Sequence, residues 1–485
     1  MPLGLDLIDG LEEEDIDWLF TAGKERQFGA GEEIIKEGTM PGSIYILQNG
    51  SASVTSVVAG GEAIATIGPG DILGEMSFVD GRSASATVTA LENTGLLEIS
   101  WELLRAKIAN EAGFATRFYL AITKMISGRL RKTIAKSSNG LSEGANPDSD
   151  VEAFWEKARG PLRNFKFLLQ DADQASIKKG KIPEDLTQKI RKQFHDVAAG
   201  LNILIGDESP LDLHVKEMIG GQLQREILPY LLLTNTGERM YSKPRGYAGD
   251  YLTIKRIYEN YASGTGRIGA LLDRCFLDEP AAKAVRNRRQ LLVNEIMNTL
   301  HAFPDEPVNV TSLACGPAEE IFDVFSDLED VSRLNVNVID IDLQALAFVV
   351  DKRDKLGMQR RITPHLGNLL YLATGKQQLN LAPQHLIYSI GLIDYFSDKF
   401  VVKLINYGYG LLKPGGRMIL GNFHPKNSNK AFMDHILEWR LIHRTEEDMN
   451  CLYQKSVFGC AAKSNQFENE GINLFSSCDK APASD

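Results

Sequence analysis

The sequence predicts a multidomain protein of three unlike parts: an all-β jelly-roll barrel with flanking helices, a helical middle region, and an α/β domain with a doubly wound sheet. Three observations carry this. The chain, at 485 residues, exceeds what one ordinary hydrophobic core organises. The apolar period changes along it, first alternating, then helical, then strand and helix in turn. Finally, Val310-Thr-Ser-Leu-Ala-Cys-Gly-Pro-Ala-Glu-Glu320 runs from a β-branched stretch through a small-residue turn into carboxylates that open a helix. A strand, a glycine turn and a helix N-terminus begin a sheet of the nucleotide-binding kind.

Composition narrows the classes. Hydrophobic residues make up 43% and charged residues 24%, ordinary values for a globular chain. No apolar run reaches the length of a membrane span. The start, Met1-Pro-Leu-Gly-Leu-Asp6, lacks a basic region followed by an apolar block, so a cytoplasmic protein without stable membrane insertion is expected. The cysteines Cys275, Cys315, Cys451, Cys460 and Cys478 are scattered and lack CxxC spacing, which predicts reduced thiols and neither a disulfide framework nor a metal site. A net charge of −11 argues against a nucleic-acid partner.

Residues 11–100 read as all-β, with turn signals at Gly50, Gly60-Gly61, Gly68-Pro-Gly70 and Gly81-Arg82 between short strands such as Ser43–Leu47 and Ala63–Ile67. From Trp101 to about Ile134 the period is helical. The polar, Gly/Ser-rich stretch 136–150 reads as a linker. The expected domains are 1–135, then the linker 136–150, a helical substrate or lid region 151–300, and the α/β domain 301–478.

Within the first domain, Gly74-Glu75-Met76-Ser77 can begin a short helix whose free N–H groups face an anion. The segment Ile72 to Val88, with Phe28–Gly38 and Ile44–Gly50 upstream, resembles the phosphate-binding cassette of cyclic nucleotide-binding domains. The resemblance implies a cyclic nucleotide ligand, cyclic AMP among them, with Glu75 on the ribose 2′-hydroxyl. The family places a phosphate-binding arginine where Ala84 stands here. Arg82 from the loop, with hydroxyls of Ser83 and Ser85, is the candidate replacement; the alternative is that Arg82 is a solvated turn residue. No compact second helix pair follows, so a DNA-binding role is not expected.

In the middle region, Tyr241-Ser-Lys-Pro-Arg-Gly-Tyr-Ala-Gly-Asp-Tyr251 packs glycines, a proline, cations and aromatics into a short space. It reads as a rigid binding loop in which Arg245 forks onto a carboxylate and Tyr247 stacks or donates, or as a tight turn whose arginine caps a helix. Arg286-Asn-Arg-Arg289 reads as a solvated helix face.

The α/β domain continues with Leu334–Asp342, a strand ending in acids. Asp340 is the candidate for ribose hydroxyls, and Asp342 the candidate helix cap. A third strand ends near Asn368, a fourth is His385–Ile390, and Leu411-Leu-Lys-Pro-Gly-Gly416 closes a helix before the fifth, Arg417–Asn422. The G-x-G-x-x-G spacing of a dinucleotide site is absent. The layout over 290–475 resembles the Rossmann-like class I S-adenosylmethionine-dependent methyltransferases. It implies S-adenosylmethionine held by Ala314, Cys315, Gly316, Asp340, Ile341, Asn368, Leu369 and Ser389. Lys243–Tyr251 together with Ser312–Ala318 resembles the bacterial family that makes 3-hydroxypalmitic acid methyl ester, which implies a hydroxy fatty acid carboxylate as acceptor. His424, in Asn422-Phe-His-Pro425, is the candidate base for a hydroxyl or amine acceptor, or else a loop histidine capping backbone. Cys478–Asp485 reads as a frayed tail. A homodimer is compatible with this reading; the alternative to an enzyme is a non-enzymatic ligand-sensing scaffold with a degenerate methyltransferase domain.

Overall fold

The computed structural model describes residues 11–56, 63–137 and 149–482. The linker expected at 136–150 therefore lies mostly outside the described residues, as does the Gly60-Gly61 turn. The chain forms two compact units: residues 1–146 with Ser242–Ala248, and Pro147–Tyr241 with Gly249–Asp485.

The first unit is a β-sandwich. Its strands are β1 (Lys24–Phe28), β2 (Glu33–Ile35), β3 (Ser43–Asn49), β4 (Ala52–Thr55), β5 (Ala63–Ile67), β6 (Ile72–Leu73), β7 (Thr87–Ala90) and β8 (Thr94–Ser100). They form two four-stranded antiparallel sheets, ordered β1-β8-β3-β6 and β2-β7-β4-β5. Alternation along the strands puts Ile35, Tyr45, Leu47, Ala52, Val88 and Leu96 into one apolar cluster.

A helix, α1 (Glu13–Ala22), stands where only strands were expected. Its signal was legible: Glu12 and Asp15 form a capping box, and Ile16, Leu19 and Phe20 recur at helical spacing. A short α2 (Glu75–Asp80) lies in the cassette, and the single helical run expected after β8 is two helices, α3 (Trp101–Asn110) and α4 (Ala112–Ser137), which meet at Glu111. Phe114, Phe118, Ile122 and Met125 of α4 bury against Leu97 and Ile99. Arg117 clamps Asp15 of α1 through Nε at 2.6 Å and Nη2 at 2.9 Å, which holds the Asp15 carboxyl below its ordinary range.

The second unit begins with helices α5 (Ser149–Lys179), α6 (Glu184–Ile205), α7 (Leu213–Leu231), α8 (Asn235–Ser242), α9 (Tyr251–Glu259), α10 (Gly269–Leu277) and α11 (Pro280–Ala302). Then strand and helix alternate: β9 (Val308–Leu313), α12 (Glu319–Asp327), β10 (Leu334–Asp340), α13 (Leu343–Lys355), β11 (Ile362–Leu366), α14 (Leu369–Ala373), β12 (Gln384–Ile390), α15 (Asp398–Leu411), β13 (Leu412–Phe423), α16 (Glu446–Lys455), β14 (Ser464–Phe467) and β15 (Asn473–Asp479). The sheet order is β11-β10-β9-β12-β13-β15-β14. The first five strands are parallel. Strand β15 runs antiparallel to both β13 and β14.

Two details differ from expectation. Leu412 already pairs with Gln384, and the register shifts before Arg417 pairs with Leu386, so Lys413-Pro-Gly-Gly416 forms a bulge inside β13 rather than a turn before it. Cys478 and Asp479 are not a frayed tail: both lie in β15, paired with Met418 and Arg417. Residues 483–485 lie outside the described residues. Apolar side chains cover both faces of the sheet, Ile296, Ile321, Phe325 and Val349 on one and Val401, Leu404, Met449 and Tyr453 on the other. No described helix is long and apolar enough to cross a membrane.

Candidate functional site

Strand order reverses between β9 and β12, and in such sheets a ligand crevice opens at the carboxyl ends of the strands flanking the reversal. The turn after β9 occupies that place. Ala314, Gly316 and Ala318 all take positive φ, of +54°, +54° and +51°. Glycine adopts this freely; the two alanines do so at a cost of about 1 kcal/mol each. Such strain persists only where surrounding structure imposes it. Asp340, at the end of β10, helps impose it. Its Oδ2 accepts from the Gly316 amide at 2.9 Å and its Oδ1 from the Asp342 amide at 2.9 Å. Burial outweighs these bonds and pushes the Asp340 carboxyl up to about 6. Cys315 is buried, and its thiol is pushed up for the same reason.

The other residues expected around a cofactor are placed as follows. Ile341 is half-buried beside Asp340. Asp342 caps α13, accepting from Gln344 at 2.8 Å. Asn368 caps α14: its Oδ1 accepts from Leu370 at 3.0 Å, leaving one lone pair on that oxygen. Leu369 is buried. Ser389, fully buried, donates from Oγ to the Leu313 carbonyl at 3.1 Å and ties β12 to β9.

Past β12 the chain turns at Gly391 (φ +77°) into Ile393-Asp394-Tyr395. Asp394 is 1% exposed. Its Oδ1 accepts from the Phe423 amide at 2.6 Å, while its Oδ2 has no hydrogen-bond partner among the described residues. Burial pushes this carboxyl up to about 6. Arg444 fixes the segment from behind, donating to the carbonyls of Ile393 at 2.8 Å and Phe396 at 2.6 Å and to Asn422 Oδ1 at 2.8 Å. The hydroxyl of Tyr395 accepts from Trp439 Nε1 at 2.8 Å. A Cβ on Gly249 would meet that hydroxyl at 2.8 Å, so Gly249 is needed for the close approach. Next to it, Asp250 caps α9 and pairs with Arg239 at 2.7 Å.

His424 is buried with both ring nitrogens engaged. Nδ1 accepts from the Lys426 amide at 3.1 Å, which leaves Nε2 protonated and donating to Glu446 at 3.0 Å. In that tautomer no lone pair is left to take a proton. The segment Arg286–Arg289 is not the solvated helix face expected: Arg288 is 5% exposed, Arg286 is half-buried, and Arg289 is half-buried and paired with Asp323. The polar side chain of Arg288 among helical periodicity gave no local sign of this. Behind Phe423 and Trp439 lies a cavity of about 30 Å³, also lined by Met240, Phe276 and Phe432, with Glu279 and Asn429 in its wall. Asn429 donates to Glu279 at 2.6 Å, and burial pushes the Glu279 carboxyl up.

In the first unit, Gly74 takes φ +77° and opens α2, placing Glu75 and Ser77 inside (both buried) and Met76 outside. Arg82, Ser83 and Ser85 are all exposed, and the Arg82 amide donates to Asp80 at 3.0 Å. Ala84 is buried in the apolar cluster, with its N–H on the Thr39 carbonyl and its carbonyl on Gly38, both at 2.8 Å. Arg245 and Tyr247 belong to the segment that forms part of this unit. Arg245 Nη1 lies 3.5 Å from Glu92 Oε2.

The chain thus combines a β-sandwich cyclic nucleotide-binding domain, a helical middle and an α/β methyltransferase-like domain with a mixed sheet. Residues 25–111 match the profile of the family described as "Cyclic nucleotide-binding domain", and residues 244–466 that of the family described as "Putative methyltransferase". The cyclic AMP receptor protein of Thermus thermophilus is 31% identical over 98 residues, covering 20% of this chain and 45% of its own length. The cGMP-dependent protein kinase of Toxoplasma gondii is 37% identical over 83 residues, covering 17% and 8%. The chain spans less than half the length of these curated relatives. Among solved structures, magnesium protoporphyrin IX methyltransferase from Synechocystis PCC 6803, with bound SAH, is 14% identical and covers 50% of this chain and 97% of its own, with a TM-score of 0.35.

Proposed function

We propose that the protein is an S-adenosylmethionine-dependent methyltransferase acting on the carboxylate of a long-chain hydroxy acid, with a barrel that senses a cyclic nucleotide. The observation that carries this is the joined pair Gly316–Asp340 at the reversal of the sheet. S-adenosylmethionine supplies a methyl group on a sulfonium. Asp340 offers its remaining lone pairs to ribose hydroxyls, and the turn 314–318 lets the ligand approach backbone closely. The residues fit a carboxylate acceptor, which is already ionised and needs no base: His424 has no lone pair to offer. Their work is then orientation and exclusion of water. The apolar cavity behind Phe423 suits an acyl chain in character. Its volume of about 30 Å³ holds little more than one water, so an acyl chain requires Met433, Leu437 and Trp439 to move.

Asp394 favours a second reading. A buried carboxyl raised to about 6 with an unpartnered oxygen is suited to take a proton from a hydroxyl or amine acceptor. Incubating the protein with labelled S-adenosylmethionine and a lipid extract tests the main reading: labelled methyl ester supports it, and absence of any labelled product under every ligand condition favours the non-enzymatic scaffold. The variant Asp394→Asn separates the acceptors, since it spares methylation of a carboxylate and abolishes that of a hydroxyl or amine. Sensing requires coupling; identical cyclic AMP affinity with and without saturating S-adenosylmethionine would remove it.

A further inference from the structure

We infer that Arg288 is a receptor for a ligand carboxylate in the crevice between β9 and β12, a deduction that rests on the methyltransferase reading for the identity of the ligands. Arg288 lies on α11 and is 5% exposed. Its Nε donates to the Tyr258 hydroxyl at 3.4 Å. Among the described residues its terminal nitrogens have no hydrogen-bond partner, and no carboxylate lies within ion-pair distance. They are nevertheless not sealed off, being absent from the fully enclosed unpartnered atoms. Its helix neighbour differs: Arg289 is bidentate to Asp323, with the Nη2 contact at 2.6 Å.

A guanidinium withdrawn from water without a partner is costly, and proteins keep one where an anion arrives. Two facts place that anion. Arg288 Nη1 would lie 2.9 Å from a Cβ on Gly391, so the guanidinium stands against the turn that leaves β12. That turn flanks the reversal of the sheet, one strand over from the Gly316 turn. A nucleoside with its ribose on Asp340 would extend across the Gly316 turn toward β12, the strand next to β9. Planar, forked donors match a carboxylate in two parallel bonds. Glu320 and Asp394 set the charge around it at longer range. Glu320 is buried, with one oxygen hydrogen-bonded by Tyr388 at 2.8 Å, and Asp394 has one oxygen on the Phe423 amide; neither is within ion-pair distance of Arg288.

The carboxylate has two sources, the cofactor's amino-acid tail and the acceptor. Calorimetry on the full chain, wild type against Arg288→Gln, distinguishes them with four probes: S-adenosylhomocysteine, 5′-methylthioadenosine (which lacks the carboxylate), 3-hydroxypalmitate and its methyl ester. The expected result is a loss of about 30-fold or more for a carboxylate probe, with its carboxylate-free counterpart within twofold. A loss confined to S-adenosylhomocysteine assigns the cofactor tail, and one confined to 3-hydroxypalmitate assigns the acceptor. Arg288→Lys, which keeps the charge and loses the fork, should recover part of the affinity and guards against misfolding of the first variant. Unchanged affinity for both acids, or equal losses for acid and counterpart in both variants, overturns the inference. If the wild type binds neither nucleoside, the methyltransferase reading fails while the fatty-acid pair still decides Arg288; binding of no probe overturns both.

Discussion

Asp340 Oδ2 accepts from the Gly316 amide at 2.9 Å, so the acid ending β10 and the turn after β9 are one unit rather than two independent contacts. Replacing Asp340 by alanine leaves the amides of Gly316 and Asp342 without acceptors, at roughly 1–3 kcal/mol. Urea unfolding should show that loss, and calorimetry should show S-adenosylhomocysteine affinity reduced at least about tenfold. A destabilised variant that binds with wild-type affinity would take Asp340 out of the binding site.

Asp394 links stability to pH. Its folded value, about 6, is above the ordinary 3.8, so the folded state holds the proton more tightly than the unfolded chain. The stability it contributes is complete below about pH 4 and is lost as pH rises through 6. Asp394→Asn does not titrate, and its advantage over wild type should grow across that window to roughly 2–3 kcal/mol at pH 8. Thermal unfolding at pH 4, 6 and 8 checks this; a pH-independent difference contradicts it.

Arg444 joins Ile393, Phe396, Asp398 and Asn422, which are distant from it in sequence and adjacent in the fold. Its loss in Arg444→Ala strands buried carbonyls and should cost about 3–5 kcal/mol. Arg444→Lys should recover little, because one ammonium cannot span partners on opposite sides of a planar fork. Melting temperatures of the two variants measure it.

The barrel prediction concerns Ala84, buried in the apolar cluster at the position where the resemblance to cyclic nucleotide-binding domains implies an arginine. Ala84→Arg should raise cyclic AMP affinity by about 30-fold or more, whereas Arg82→Ala, removing an exposed side chain, should change it less than twofold. Titration with cyclic AMP settles both, and a large loss in Arg82→Ala would make Arg82 the replacement phosphate ligand.

What the sequence made legible was local. Asp342 announces itself as a cap because its partners lie within three residues, and it caps as expected. The strand–turn–helix at Gly316 is equally short-range. Helix α1 carries a local capping box too, but the turn-rich strands that follow it directly dominate the pattern around it. Arg288, Arg444 and Cys478 were illegible for a different reason. Their burial is set by strand pairing and by helices far away in sequence, and a charged or polar residue gives no periodic sign that it points inward. The orphan oxygen of Asp394 likewise depends on β13 arriving beside the turn after β12.

Ala314 and Ala318 hold left-handed backbone that glycine would accept without cost. A library of this gene selected only for survival of heating should therefore accumulate glycine at these two positions, each gain about 1 kcal/mol. A library selected for turnover should resist the same changes, because a looser turn no longer presents its amides in one arrangement. The positions at which the two populations diverge would map the working surface of the protein without any ligand in hand.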